Sequence, residues 1–349
     1  MLSKSNFTPE HIIRLQSETR RDPSLLERTV FAFGLLEALT LVGLDFLFKG
    51  GSSLMLLLGN PMRLSTDIDI VVAPDTDMDK FIKEAAEISP FFGRKEQMRT
   101  SKLNIEKRHF MFFFRSPLTL KESHIILDVV FEDNFYSKTV FKEINNSLLV
   151  VDSPATHVTT PSADCILGDK LTAFAPHTIG IPFGVNKELE VIKQHYDIAV
   201  LINELDSFTD AKDTYKRIAE LEIEYRELKN MSYRETLIDT FNTTLAIIGK
   251  GKLFPDDYSH LKDGMRRIKG HIFSDYSPVV AETQSCRIAH FIASILGEKE
   301  LIPAISDVSF YSGVTITSPA YSKLNHVKKA SLTDFAYLYE AVKLFEEVS

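Results

Sequence analysis

A chain of 349 residues, 44% hydrophobic and 25% charged, is long enough for two domains and has the balance of an ordinary water-soluble globular protein. A net charge of −8 argues against a protein that coats nucleic acid over its whole surface, while leaving room for a local basic groove. No apolar run reaches the roughly 18 residues of a membrane span, and the first residues lack the apolar core of a signal peptide, so the expected compartment is the cytoplasm with no membrane partner.

In chain order, Thr8 followed by Pro9 and Glu10 predicts a helix start running to about Arg20. Asp22-Pro23-Ser24 opens a second helix, Leu25 to about Val42, which is apolar on most sides and so is expected to lie buried against a sheet. Phe46 to Phe48 reads as a strand. Lys49-Gly50-Gly51-Ser52-Ser53 then reads as a turn, and Leu54 to Leu58 as a short buried helix broken by Gly59-Asn60-Pro61. A second strand carries Asp67 and Asp69. Asp77 to Ile88 is an amphipathic helix, and residues 91–104 are mixed and polar, with Arg94, Lys95, Arg99 and Lys102. Two β-type runs, His109 to Arg115 and His124 to Phe131, flank a turn with Ser116-Pro117 and predict a hairpin, with Leu148 to Val151 as one further strand. The pattern is α/β (α+β): a mixed sheet flanked by helices.

After Pro161 the character changes. Helices are predicted over Ser162 to Ala175, Leu189 to Asn203 and Asp210 to Met231, then near 232–249, 258–273, 277–296 and 331–347. Residues 308–317 are β-like but isolated. The expected division is a domain over 1–158 and a mainly helical one over 159–349. Cys165 and Cys286 fit buried thiols better than a disulfide or a zinc site.

The chemistry concentrates in residues 45–72. Strand side chains alternate, so Asp67 and Asp69 share one face while Ile68, Ile70 and Val72 point into the core. Two neighbouring carboxylates repel each other, and a divalent cation such as Mg²⁺ between them relieves the repulsion. The glycines allow close approach of the backbone to a ligand, and Ser52 opens a helix whose free N–H groups suit an anion. Asp128 interrupts the apolar run Ile125 to Phe131 and requires a partner: a metal, a neighbouring loop to cap, or an arginine. If its strand lies beside that of Asp67 and Asp69, three carboxylates converge and can hold two Mg²⁺ ions. Gly50-Gly51 alone also fits a plain strand-to-helix turn, and no Walker-type motif surrounds Lys49.

Lys49-Gly-Gly-Ser-Ser-Leu followed by Arg63-x-Ser65-x-Asp67-x-Asp69 resembles the AbiEii/AbiGii toxin group of the nucleotidyltransferase superfamily. The resemblance covers roughly residues 30 to 205. It implies a nucleotide site at Lys49, Gly50, Gly51, Ser52, Ser53, Arg63 and Ser65, and metal ligands at Asp67, Asp69 and Asp128. The family's Glu-Lys-Leu helix, reached through a proline, is matched by Gly168-Asp169-Lys170-Leu171 after Pro161. Its Arg-Asp-x-x-Asp helix is matched by Lys193-Gln194-His195-Tyr196-Asp197, where lysine replaces the arginine and Gln194 the first acid.

The implied catalytic set is thus Asp67, Asp69, Asp128, Lys170 and Asp197. Lys170 either neutralises triphosphate charge or is an exposed helix lysine. Asp197 orients Lys170, contacts the metal, or forms a surface ion pair. Arg63 clamps a phosphate or pairs with Asp67. His195 reads as a solvated helix residue. The basic residues between 94 and 108 and the cluster Arg266, Arg267 and Lys269 either guide RNA or are solvated charge. The resemblance implies a Mg²⁺-dependent transfer of a nucleoside monophosphate from a nucleoside triphosphate to an acceptor, tRNA foremost. It also implies a toxin with a separately encoded antitoxin. Two other readings are a transferase acting on a small molecule such as an aminoglycoside, and a nucleotide-binding interaction protein with little catalysis, the latter suggested by Gln194.

Overall fold

A computed structural model describes residues 1–98 and 105–348. The chain forms two compact units, one of Met1–Ser162 with Gly270–Ser274, the other of Ala163–Lys269 with Asp275–Ser349.

In the first unit, α1 (Pro9–Thr19) is capped by Thr8, whose side chain accepts from the His11 amide, and α2 (Pro23–Leu41) by Asp22, which accepts from Ser24 and Leu25. Next come β1 (Leu47–Lys49), α3 (Gly50–Leu57), β2 (Asp67–Val72), α4 (Met78–Ala85), β3 (Phe91–Glu96), β4 (Lys107–Arg115), β5 (Glu122–Phe131), β6 (Thr139–Glu143) and β7 (His157–Pro161). The expected turn at 49–53 is absent. The helix starts at Gly50 itself, because a φ of +80° there passes the chain from strand to helix within one residue.

Among the described residues the sheet has seven strands in the order β3-β4-β5-β2-β1-β7-β6. β2 pairs with β5, and β1 with β7, in parallel; the other pairs are antiparallel, so the sheet is mixed as its pattern predicted. The β4/β5 hairpin is present. Leu148 to Val151 is not a strand: Val151 makes one isolated bridge to Leu2, and Leu148 and Leu149 are apolar because they are buried in the core. β3, β6 and β7 carried no readable alternation, and β6 sits at the sheet edge with exposed Thr139, Phe141 and Glu143.

One face of the sheet is the core. Ile68, Ile70 and Val72 of β2, Phe110, Phe112 and Phe114 of β4, and Ile125, Leu127 and Val129 of β5 are buried with α2, whose Phe31 stacks on Phe114 at 3.9 Å between ring centres. Each such side chain contributes about 1.5–3 kcal/mol on burial. The alternation that buries these residues turns the intervening ones, Asp67, Asp69, Asp128 and His109, to the opposite face.

The segment 270–274 completes this unit. Arg63 and Ile272 form an antiparallel bridge, the Leu64 amide donates to the His271 carbonyl at 2.7 Å, and the Phe273 amide donates to the Met62 carbonyl at 3.1 Å. That extended pairing explains why the helix expected over 258–273 stops at Arg267.

The second unit is helical: α5 (Ala163–Ala173), α6 (Glu188–Asn203), α7 (Phe208–Tyr225), α8 (Tyr233–Gly249), α9 (Pro255–Arg267), α10 (Pro278–Leu296), α11 (Val327–Ala330) and α12 (Leu332–Val348). Helix α5 packs on α7 and α6, and α10 packs on α8, α12 and α6. The β-like run 308–317 holds a 3-10 turn, Val308–Ser312, and meets no strand among the described residues. Cys165 and Cys286 are buried free thiols, and burial pushes the Cys286 thiol well above its usual range. No helix among the described residues is long and apolar enough to cross a membrane.

Candidate functional site

Lys49 of β1, Asp69 of β2, Asp128 of β5 and His109 of β4 lie directly opposite one another, strand to strand, and form a single row across the middle of the sheet. Residues in register on paired strands project to the same face. Asp67 stands one pleat before Asp69 on that face, opposite Ile126. The expected juxtaposition of Asp69 and Asp128 on neighbouring parallel strands is therefore present, with Asp67 beside it.

The local bonds define how these groups are held. Nδ1 of His109 lies 2.6 Å from Oδ1 of Asp128. Arg28 of α2 approaches Asp67, with Nη2 3.5 Å from Oδ1, and so brings a positive charge beside that acid. A Cβ at Gly50 would overlap the Asp69 carboxylate, which therefore rests against the first residue of α3, where the positive end of the helix favours an anion. Likewise a Cβ at Gly51 would overlap the Arg63 guanidinium, which is buried beneath α3 and donates to the Leu64 carbonyl at 3.2 Å. Gly50 is required by its positive φ, and a side chain at either glycine would push the neighbouring charged group aside. The Lys49 ammonium lies 5.9 Å from the centre of the Tyr136 ring.

Ser52 and Ser53 are fully buried: the Ser52 hydroxyl donates to the Asp67 carbonyl and that of Ser53 to the Gly50 carbonyl at 2.8 Å. The first ties α3 to β2, and the second closes the helix's own first turn. Ser65 is half-buried on the approach to β2. Among the described residues no three His, Cys, Asp or Glu side chains form a ready metal cluster. Asp128 is bonded to His109 and Asp67 lies near Arg28, and the three acids share one face.

In the helical unit, Lys170 of α5 and Asp197 of α6 form an ion pair, Nζ to Oδ2 3.0 Å, with side chains only 8% and 2% exposed. Neither is the surface residue that helix statistics favour. His195 is also corrected: it is fully buried, between the Tyr276 hydroxyl at 3.1 Å and the Ser285 hydroxyl at 2.8 Å. Burial pushes its ring down to about 3. The unfolded chain, with a histidine near about 6.5, then binds the proton more readily than the folded one, and stability is lost as pH falls through the window between these values. Urea midpoints at pH 7 and pH 5 are expected to differ less in His195→Gln than in the wild type.

Of the basic residues, Arg266 and Arg267 pair with Asp263 on their own helix, and Arg108 is held by Glu96 at 2.8 Å and Asp79 at 2.7 Å. Arg94 and Lys95 are exposed on β3, while Arg99 and Lys102 lie outside the described residues. His109 was passed over in the sequence. Its place opposite Asp128 depends on the loop running from Ser116 to Lys121, so that Arg115 faces Glu122, a length that the Ser116-Pro117 signal does not give.

Solved structures similar to the chain include JHP933 from Helicobacter pylori, at 13% identity and a TM-score of 0.36, covering 69% of this chain and 97% of that one. Another is an antigenic nucleotidyltransferase-like protein from Paracoccidioides brasiliensis, at 17% identity and a TM-score of 0.38, covering 68% and 92%. No curated protein matches the sequence. The family model described as "Nucleotidyl transferase AbiEii toxin, Type IV TA system" matches residues 35–278, well over half of the chain. The protein belongs to this AbiEii nucleotidyltransferase toxin family of type IV toxin–antitoxin systems.

Proposed function

We propose that the protein transfers a nucleoside monophosphate from a nucleoside triphosphate to an acceptor hydroxyl, with Asp67, Asp69 and Asp128 as the carboxylates of a Mg²⁺ site. The observation that carries this is the register of Asp69 against Asp128, with Asp67 on the same face. Adjacent strands lie about 4.8 Å apart and alternate residues of one strand about 6.8 Å. Two oxygens bound to one Mg²⁺ at about 2.1 Å each span roughly 4 Å. Rotation of the Asp67 and Asp69 side chains toward Asp128 can therefore bring the acids around a cation, and an all-oxygen donor set suits a hard one. Mg²⁺, when bound, supplies neutralisation of the triphosphate and a more acidic acceptor hydroxyl.

The chain's own residues do the rest. The uncapped first turn of α3, with Lys49 ahead of it, offers N–H groups and a cation to phosphate oxygens. Asp128, in this reading, also takes the proton as the acceptor oxygen bonds to the α-phosphorus and the bond to the β-phosphate oxygen breaks, releasing pyrophosphate. Lys170, its ammonium held by Asp197, is assigned to phosphate charge on chemical grounds. The acceptor in this reading is the 3′ end of a tRNA, with the helical region 159–349 helping to hold it. The system would act in the cytoplasm, opposed by a separately encoded antitoxin.

Incubation of the pure protein with Mg²⁺, total tRNA and each labelled nucleoside triphosphate is expected to label RNA with one nucleotide preferred. A folded sample that labels neither RNA nor protein with any of the four would overturn the proposal. Label appearing only on a small hydroxylated compound would move the acceptor to that class.

A further inference from the structure

We infer that His109 is a positioning residue for Asp128: it fixes the carboxylate plane and so sets the affinity of the acidic row for a divalent cation. This rests on the proposed metal role of Asp128 and deepens it. Nothing in the family motifs quoted above includes His109.

The geometry is specific. His109 and Asp128 are directly paired residues of two antiparallel strands, so their Cβ atoms start side by side and one short bond closes between them, 2.6 Å from Nδ1 to Oδ1. Both side chains are mostly buried, and a bond there is screened less than one at the surface. The backbone behind the imidazole is fixed as well, since the Gln97 amide donates to the His109 carbonyl at 2.7 Å. For Nδ1 to donate to the carboxylate it must carry the hydrogen. An aspartate with both χ angles loose must be ordered when it takes a cation, whereas one already held by a rigid ring on the next strand has little freedom left to lose.

A residue that merely stabilised the fold would give a different pattern from one that positions a ligand. The full-length protein is titrated with Mn²⁺ alone, as a probe for Mg²⁺, and free Mn²⁺ is followed by its electron paramagnetic resonance signal; nucleotide transfer is measured separately against Mg²⁺ concentration. His109→Ala is expected to weaken Mn²⁺ binding by about 10–100-fold, the usual cost of losing a group that orients a metal ligand. The Mg²⁺ concentration for half-maximal transfer should rise in step, while kcat at saturating Mg²⁺ largely recovers. His109→Asn, whose amide nitrogen falls close to the position of Nδ1, should restore most of the affinity, and His109→Gln, whose nitrogen reaches further, should not.

A folded His109→Ala with wild-type Mn²⁺ binding overturns the inference, as does a variant that lowers the thermal midpoint and leaves metal dependence untouched. Should the wild type itself bind no Mn²⁺ and transfer nucleotides without a divalent ion, the metal reading of the acids fails, and the role of His109 with it.

Discussion

Asp69→Asn is expected to cut nucleotidyl transfer by at least about 10²–10³-fold, the scale for removing one preorganised electrostatic group from a site of developing charge, while leaving the protein folded. The residue lies between Lys49 and Asp128 in the cross-strand row and rests against Gly50. Asparagine keeps the shape, so packing against the glycine is preserved, and it removes one of two like charges on adjacent strands. Repulsion from Asp128 falls while the attraction of Lys49 and of the helix end is lost, so the thermal midpoint should change little. Only the reaction should suffer, because a neutral amide is a poor ligand for a hard cation and gives no charge to balance it. Asp128→Asn should behave alike. Initial rates with the preferred labelled nucleotide, beside a thermal melt of the same sample, decide the matter; undiminished transfer by Asp69→Asn would remove the carboxylate row from the chemistry.

Lys170→Ala is expected to act first on folding. The ion pair with Asp197 is buried on both sides, and removing one member leaves a charge in a poorly solvated place, at a cost of about 3–5 kcal/mol. Denaturant titration should therefore show a large fall in the unfolding midpoint, and any loss of activity in this variant would be uninterpretable by itself. The double substitution Lys170→Met with Asp197→Leu separates the two roles. Apolar groups of similar volume replace a buried ion pair at little or no cost, so stability should return close to the wild-type value. Transfer should not return, if the ammonium serves the phosphates. Recovery of both in the double variant would reduce Lys170 and Asp197 to an internal strut.

Much of this was readable in the residues because the relevant signals are local. The alternation of Ile68, Ile70 and Val72 with Asp67 and Asp69 fixed which face each occupies, and the caps at Thr8 and Asp22 marked α1 and α2. What stayed hidden depended on distant parts of the chain. β6 is an edge strand with little apolar content, and its existence is decided by β7, some fifteen residues on. Leu148 to Val151 imitated a strand because core burial selects the same residues as pairing does. His195 looked like one more polar residue on a helix, and only the tertiary fold supplies the Tyr276 and Ser285 hydroxyls around it. The position of Asp128 beside Asp69 followed from a supposed strand neighbourhood; that its immediate partner is a histidine came from hairpin register.

The return of residues 270–274 to bridge Arg63 and flank Met62 and Leu64 makes the sheet unit discontinuous along the gene. A fragment ending near residue 162 would contain every acidic residue of the row and still lack the strip that braces the approach to β2. Such a fragment would lack Lys170 and Asp197 as well, so its silence would say nothing of the acids, and activity studies are better made on the whole chain.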